Sequence, residues 1–148
     1  MEFLASLHHK IIHFPIAFLV IYPFVEMLAV LTGKDFFVKS AGMFLLIGTV
    51  GALLAALTGN QAYSFIQDWP DAELKLFYLH QTFANVTIWY FAILLASRFY
   101  FSIKKKLNKK LLLVFLILSI MGSYFVYQTA NYGGKISKER LIITTENN

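Results

Sequence analysis

Four long apolar runs leave this chain few folds to choose from. They cover residues 11–31, 36–57, 78–101 and 111–132. At about 1.5 Å of rise per residue, roughly 20 helical residues cross the ~30 Å hydrocarbon layer of a bilayer. Each run meets that length and ends in turn or charge signals: Thr32-Gly33-Lys34-Asp35, Thr58-Gly59-Asn60, Lys104-Lys105-Lys106 and Gly133-Gly134. The runs do not alternate apolar with polar residues, so membrane strands are excluded. Only 14% of the 148 residues are charged, against about a quarter in a water-soluble domain. The expectation is one all-α domain over residues 1–148, an integral membrane four-helix bundle wound up-down-up-down. No internal repeat is visible. The first run holds Pro15, Pro23 and Glu26 and lacks a small-residue cleavage site after it, so it reads as a mature span rather than a cleaved signal.

Charge sets the direction. Arg98, Lys104, Lys105, Lys106, Lys109 and Lys110 fall in one short connection without an acid, which marks it as cytoplasmic. Lys34 and Lys39 then share its side. Both termini and the 60–77 loop fall outside, with Lys10, Lys75, Lys135, Lys138 and Arg140. Eight basic residues inside against five outside support this orientation in the inner membrane. Within the outer loop, Trp69-Pro70-Asp71 reads as a helix start, with proline in the first turn and acids near the positive end of the dipole. Residues 144–148 read as a disordered tail. The lysine run is a topology signal beside anionic lipid. It is too short to build the stacking, basic surface that nucleic acid requires, so no nucleic-acid partner is expected.

The same topology gathers all four histidines at one face. His8, His9 and His13 stand at the start of the first run and His80 at the start of the third. Imidazole is the commonest neutral metal ligand. The chain has no cysteine, which excludes disulfides, cysteine-ligated iron–sulfur clusters and thioether-linked haem. The first and third spans run parallel and are diagonal in such a bundle. His13 and His80, at similar depth, are placed to ligate one metal from opposite sides, as bis-histidine haem b requires. Ala17 and Ala84 each follow their histidine by four residues and give room on its face. Gln128 or Tyr132, at the same level on the fourth span, would hydrogen-bond the imidazole's other nitrogen. For His8 and His9, contact with headgroups and water is the simpler reading. An imidazole inside an apolar run needs a partner, and for His13 and His80 a neighbouring Tyr, Gln or backbone carbonyl competes with a metal. The small residues Gly48, Gly51, Ala52, Ala55, Ala56 and Gly59 read first as a close-packing row.

Glu26 is the only acid within a span. Such a group is a functional candidate by default. Its simpler reading is structural: protonated, or paired with Arg98 or a lysine near the cytoplasmic face.

The stretch Leu7-His8-His9-Lys10-Ile11-Ile12-His13-Phe14-Pro15-Ile16-Ala17 resembles the opening motif of a bacterial membrane family known as domain of unknown function 2231. The usual form is Leu-His-Pro-x-x-Val/Ile-His-Phe-Pro-Ile-Ala. The likeness continues through Leu57-Thr58-Gly59, the His80 position and Tyr132-Gly133-Gly134, and so covers nearly the whole chain. It carries over His8 and His13 as the two motif histidines and His80 as the third. His9 replaces the usual proline. Arg140 stands where the family often has a further histidine, in Leu-Val-Tyr-x-His-Gly. The family name implies no activity. A haem-type redox role follows only by analogy with histidine-rich four-helix proteins.

The functional expectation is a membrane b-type cytochrome that passes single electrons to a redox partner or works within a larger membrane complex. His13 and His80 hold the haem, with His8 as substitute ligand if the register of the first helix differs. One rival is a zinc, copper or iron ion on His8, His13 and His80. The other is a cofactor-free accessory or scaffold subunit. No nucleophile–base pair or paired carboxylates argue for hydrolysis, and a stand-alone enzyme is not expected.

Overall fold

The computed structural model describes residues 8, 10–64 and 71–146, with side chains described for 8, 10–61 and 73–138. Four helices follow in order: α1 (His13–Thr32), α2 (Asp35–Ser64), α3 (Asp71–Ile103) and α4 (Lys109–Glu146). All four are long and apolar enough to cross a membrane, and no strand occurs among the described residues. Neighbours in sequence are neighbours in space, and α4 closes the ring against α1. The diagonal pairs α1–α3 and α2–α4 do not pack directly. This is the expected up-down-up-down bundle. One end carries His8, His13 and His80, the other the Lys104–Lys110 connection, and these serve below as the histidine end and the lysine end.

Short connections force the antiparallel hairpins. Gly33 ends α1 in the left-handed conformation at φ 64°, open to glycine without a Cβ penalty, and its N–H donates to the Ala29 carbonyl at 2.9 Å. Asn108 starts α4 by accepting the Leu111 N–H on Oδ1 at 3.0 Å, the usual service of Asn at a helix start.

Many large apolar side chains face outward, as lipid allows, while polar Glu26, Thr49, Arg98 and Ser119 are buried. Trp89 is 71% exposed and Leu57 68%. The core joins Leu19, Tyr22, Leu45, Phe91, Leu94 and Phe115. Close approach of α1 to α2 depends on missing side chains: a Cβ on Gly48 would stand 2.5 Å from Leu19, and one on Gly51 3.3 Å from Pro15. The small-residue row of α2 therefore packs helices there, as its simpler reading required.

The helices outrun the apolar segments that announced them. Gly133 and Gly134 lie inside α4, which continues to Glu146, so they do not end the helix and residues 144–146 belong to it. Backbone hydrogen bonds continue into polar sequence once a helix is nucleated, because each added residue gains a bond at little extra entropic cost. α3 starts at Asp71; Trp69 and Pro70, expected at that start, lie outside the described residues.

Candidate functional site at the histidine end

One face of α1 turns inward: Pro15, Leu19, Tyr22, Glu26 and Ala29 are buried at alternating spacings of four and three. His13 precedes Pro15 by two residues, about 200° away around the helix. It is exposed, and so is Ala17 two residues after Pro15. His13 is thus placed off the inward face of α1. Continuing the inward series toward the N-terminus leads past Ile12 to His8. The chain enters α1 through a turn at Ile12, with φ −59° and ψ −27°; Ile12 N–H donates to the His8 carbonyl at 3.1 Å and Ile16 N–H to that of Ile12 at 3.4 Å.

His8 meets the end of α2. Its Nδ1 lies 3.1 Å from Thr58 Oγ1. The Thr58 hydroxyl has one proton and also lies 3.1 and 3.0 Å from the carbonyls of Leu54 and Ala55; when that proton serves a carbonyl, the hydroxyl accepts and Nδ1–H donates. The lone pair of a neutral His8 ring then sits on Nε2. The ring fills the space a side chain on Gly59 would take, since a Cβ there would stand 2.9 Å from Cε1.

His80 repeats the arrangement on the other hairpin. The inward face of α3 passes through Thr87, Phe91, Leu94 and Arg98, all buried, and His80 precedes Thr87 by two turns. Nδ1–H donates to the Thr129 carbonyl of α4 at 2.9 Å. A carbonyl cannot donate, so this tautomer is fixed and its lone pair also lies on Nε2. Gly133 leaves room for the ring: a Cβ would come within 3.2 Å of Cε1. The Thr129 hydroxyl in turn contacts Thr87 at 3.0 Å. Each imidazole is thus locked by a threonine on the adjacent antiparallel helix and seated on a glycine. The expected partners do other work. Gln128 donates to the Tyr124 hydroxyl at 2.9 Å, while Tyr132 stacks on Phe83 at 5.5 Å, with Lys135 5.3 Å over its ring. Ala84 is half-buried on the His80 side of α3.

Sequence reading missed Thr58 and Thr129 as partners. The available signal was a threonine near a glycine at the end of both returning helices, opposite a histidine. His9 lies outside the described residues. Among the described residues no cluster of three or more His, Asp or Glu side chains is disposed to hold a metal ion.

A second polar centre lies toward the lysine end. Arg98 Nη1 donates to Glu26 Oε1 at 2.7 Å, with the two side chains 4% and 0% exposed. Nη2 donates to the Val38 carbonyl at 3.0 Å, and the guanidinium lies 5.3 Å over the Phe115 ring. The Tyr22 hydroxyl and Glu26 Oε2 are buried without a hydrogen-bond partner. Pairing with Arg98 was one of the structural readings of Glu26. A lateral crevice of about 350 Å³ between α3 and α4, lined by Tyr90, Ser97 and Phe115 among others, is almost wholly apolar and distant from the histidines.

Comparison with known proteins adds a family and nothing finer. No curated protein and no solved structure matches the chain. The family model described as "Predicted membrane protein (DUF2231)" matches residues 5–146. With nearly its whole length covered, the chain belongs to this family of membrane proteins, domain of unknown function 2231.

Proposed function

We propose that the histidine end is a bis-imidazole site for haem b and that the protein carries single electrons across or along the membrane face. The observation that carries this reading is the paired anchoring: His8, just before α1, and His80, on the diagonal α3, each engage Nδ1 with a neighbouring helix, an arrangement that suits the neutral tautomer with its lone pair on Nε2. A hydrogen bond at the distal nitrogen orients a ligating imidazole and raises its basicity. Ligand count separates haem from a bare ion. A porphyrin brings four nitrogens and asks the protein for two, whereas zinc in protein sites takes three or four protein ligands, and no third ligand joins His8 and His80 among the described residues. When bound, the iron would supply a one-electron couple tuned by its axial ligands and their hydrogen bonds.

This reading moves the first axial ligand from His13 to His8. Thr58 and the Thr129 carbonyl orient the rings, while Gly59 and Gly133 give them space. The lysine-rich connection favours an inner-membrane setting with the histidine end outward, where a redox partner or a larger complex would exchange electrons.

The test is spectroscopic. Protein purified in mild detergent and supplied with haem should give a reduced-minus-oxidised spectrum of low-spin haem b. His8→Ala and His80→Ala should each abolish the low-spin form, and His13→Ala should keep it. Loss in His13→Ala with retention in His8→Ala would overturn the ligand assignment. Metal without a Soret band would favour the non-haem ion. Neither would favour an accessory subunit whose histidines only join helices.

A further inference from the structure

We infer that Glu26 and Arg98 are positioning residues, and that their ion pair sets the level and rotation of α1 and α3 so that His8 and His80 oppose each other across the bundle axis. The functional meaning of that placement rests on the bis-imidazole reading; the placement itself does not.

Helices α1 and α3 are diagonal and their backbones do not approach closely; Leu19 and Tyr22 of α1 share an apolar core cluster with Phe91 and Leu94 of α3, packing without a directional bond. The Glu26–Arg98 pair bridges that gap at 2.7 Å. Arg98 is also held by the Val38 carbonyl of α2 and rests on Phe115 of α4, so all four helices meet at one guanidinium. Because α1 and α3 run parallel, this contact sets a common origin from which height along both can be counted.

Counting back gives a coincidence that chance rarely supplies. Glu26 follows His8 by 18 residues, and Arg98 follows His80 by 18 residues. At 3.6 residues per turn, 18 residues are five whole turns, or about 27 Å. The first interval enters α1 through the turn at Ile12, whose φ −59° and ψ −27° are right-handed helical, so each histidine falls near the face of its charged residue and near the height of the other histidine. The antiparallel partners measure the same interval. On α2, Gly42 beside Arg98 and Gly59 beside His8 are 17 residues apart; on α4, Phe115 under Arg98 and Gly133 under His80 are 18 apart. His13 lies 13 residues before Glu26, about 3.6 turns, which turns it outward. A pair serving stability alone has no need of a whole number of turns to the histidines.

The chain has no cysteine of its own, so spin labels can be placed without background. Full-length protein carrying His8→Cys with His80→Cys, reconstituted in lipid nanodiscs, should give one narrow dipolar distance, shorter than that of His13→Cys with His80→Cys. Adding Arg98→Gln should at least double the width of the 8–80 distribution. The apolar pair Glu26→Leu with Arg98→Met separates positioning from stability: it should recover the melting temperature lost in Arg98→Gln yet leave the distribution broad. A shorter 13–80 distance, or a wild-type width in the apolar pair, overturns the proposal. If Arg98→Gln does not fold, the wild-type distances and the apolar pair still decide. The 8–80 proteins lack both His8 and His80 and the 13–80 protein lacks His80, so no labelled protein keeps the bis-imidazole pair and these readings are independent of haem. Failure of haem to bind unlabelled protein while the distances behave as stated would sink the cofactor reading and leave the positioning role standing.

Discussion

His80 donates its Nδ1 proton to the carbonyl of Thr129 at 2.9 Å, tying the start of α3 to a point well along α4. The bond does two things at once. It joins the two helices of the hairpin, and it selects the tautomer whose lone pair lies on Nε2.

Replacing that ring should weaken the protein even without a cofactor. His80→Ala removes the hydrogen bond to the Thr129 carbonyl, which keeps its helical donor, a loss of about 0.5–1.5 kcal/mol besides the lost packing of the ring. His13→Ala, at an exposed position, should change stability by less than about 0.5 kcal/mol. Thermal unfolding in detergent compares the two directly. Equal effects would contradict the inward and outward placement of these rings.

The glycines under the rings make a sharper contrast. Gly59→Ala places a methyl 2.9 Å from His8 Cε1, so the ring must shift, at a cost of about 1–3 kcal/mol for overpacking. Gly133→Ala, at 3.2 Å from His80, should cost less. Gly134→Ala meets nothing within 4 Å inside a helix and should stabilise by roughly 0.5–1 kcal/mol through backbone entropy. Melting temperatures should rank in that order.

Breaking the buried ion pair should be expensive. Removing either partner alone, as in Glu26→Gln or Arg98→Met, should cost about 3–5 kcal/mol, because the other group remains buried and uncompensated. Glu26→Leu with Arg98→Met together should cost less than either single change. A double-mutant cycle on unfolding measures the coupling; additivity of the two singles would argue against direct pairing.

Buried Tyr22 and half-buried Tyr90 should answer hydroxyl removal differently. Tyr90 donates to the Leu118 carbonyl at 2.7 Å, and Tyr90→Phe should lose about 1 kcal/mol. The Tyr22 hydroxyl is buried with no partner, so Tyr22→Phe should leave stability unchanged or raise it slightly. A destabilised Tyr22→Phe would mean that the hydroxyl is satisfied through a bound water.

Hydropathy made the bundle readable, because only a helix satisfies its own backbone across that much apolar sequence. Depth was readable too: counting along the runs puts the histidines at one end. Rotation was not. His13 looked inward because it lies inside an apolar run, but every face of such a helix is apolar, and hydrophobicity cannot tell lipid from core. The buried charges hold that information. Glu26 and Arg98 must avoid lipid, so they mark the inward faces of α1 and α3, and one turn count from each reaches the ring that faces inward with it. Gly133-Gly134 misled for the opposite reason: glycine usually ends helices, yet here Gly133 lies where a side chain would collide with His80.

α4 contains 38 residues, a rod of about 57 Å where roughly 30 Å would span the hydrocarbon. It begins at the lysine connection, so the surplus accumulates at the opposite end. From Gly133, level with His80, to Glu146 the rod rises about another 20 Å. The imidazoles therefore sit at the foot of a mast, and any soluble molecule approaching them from the water must first pass its exposed lysines, Lys135 and Lys138.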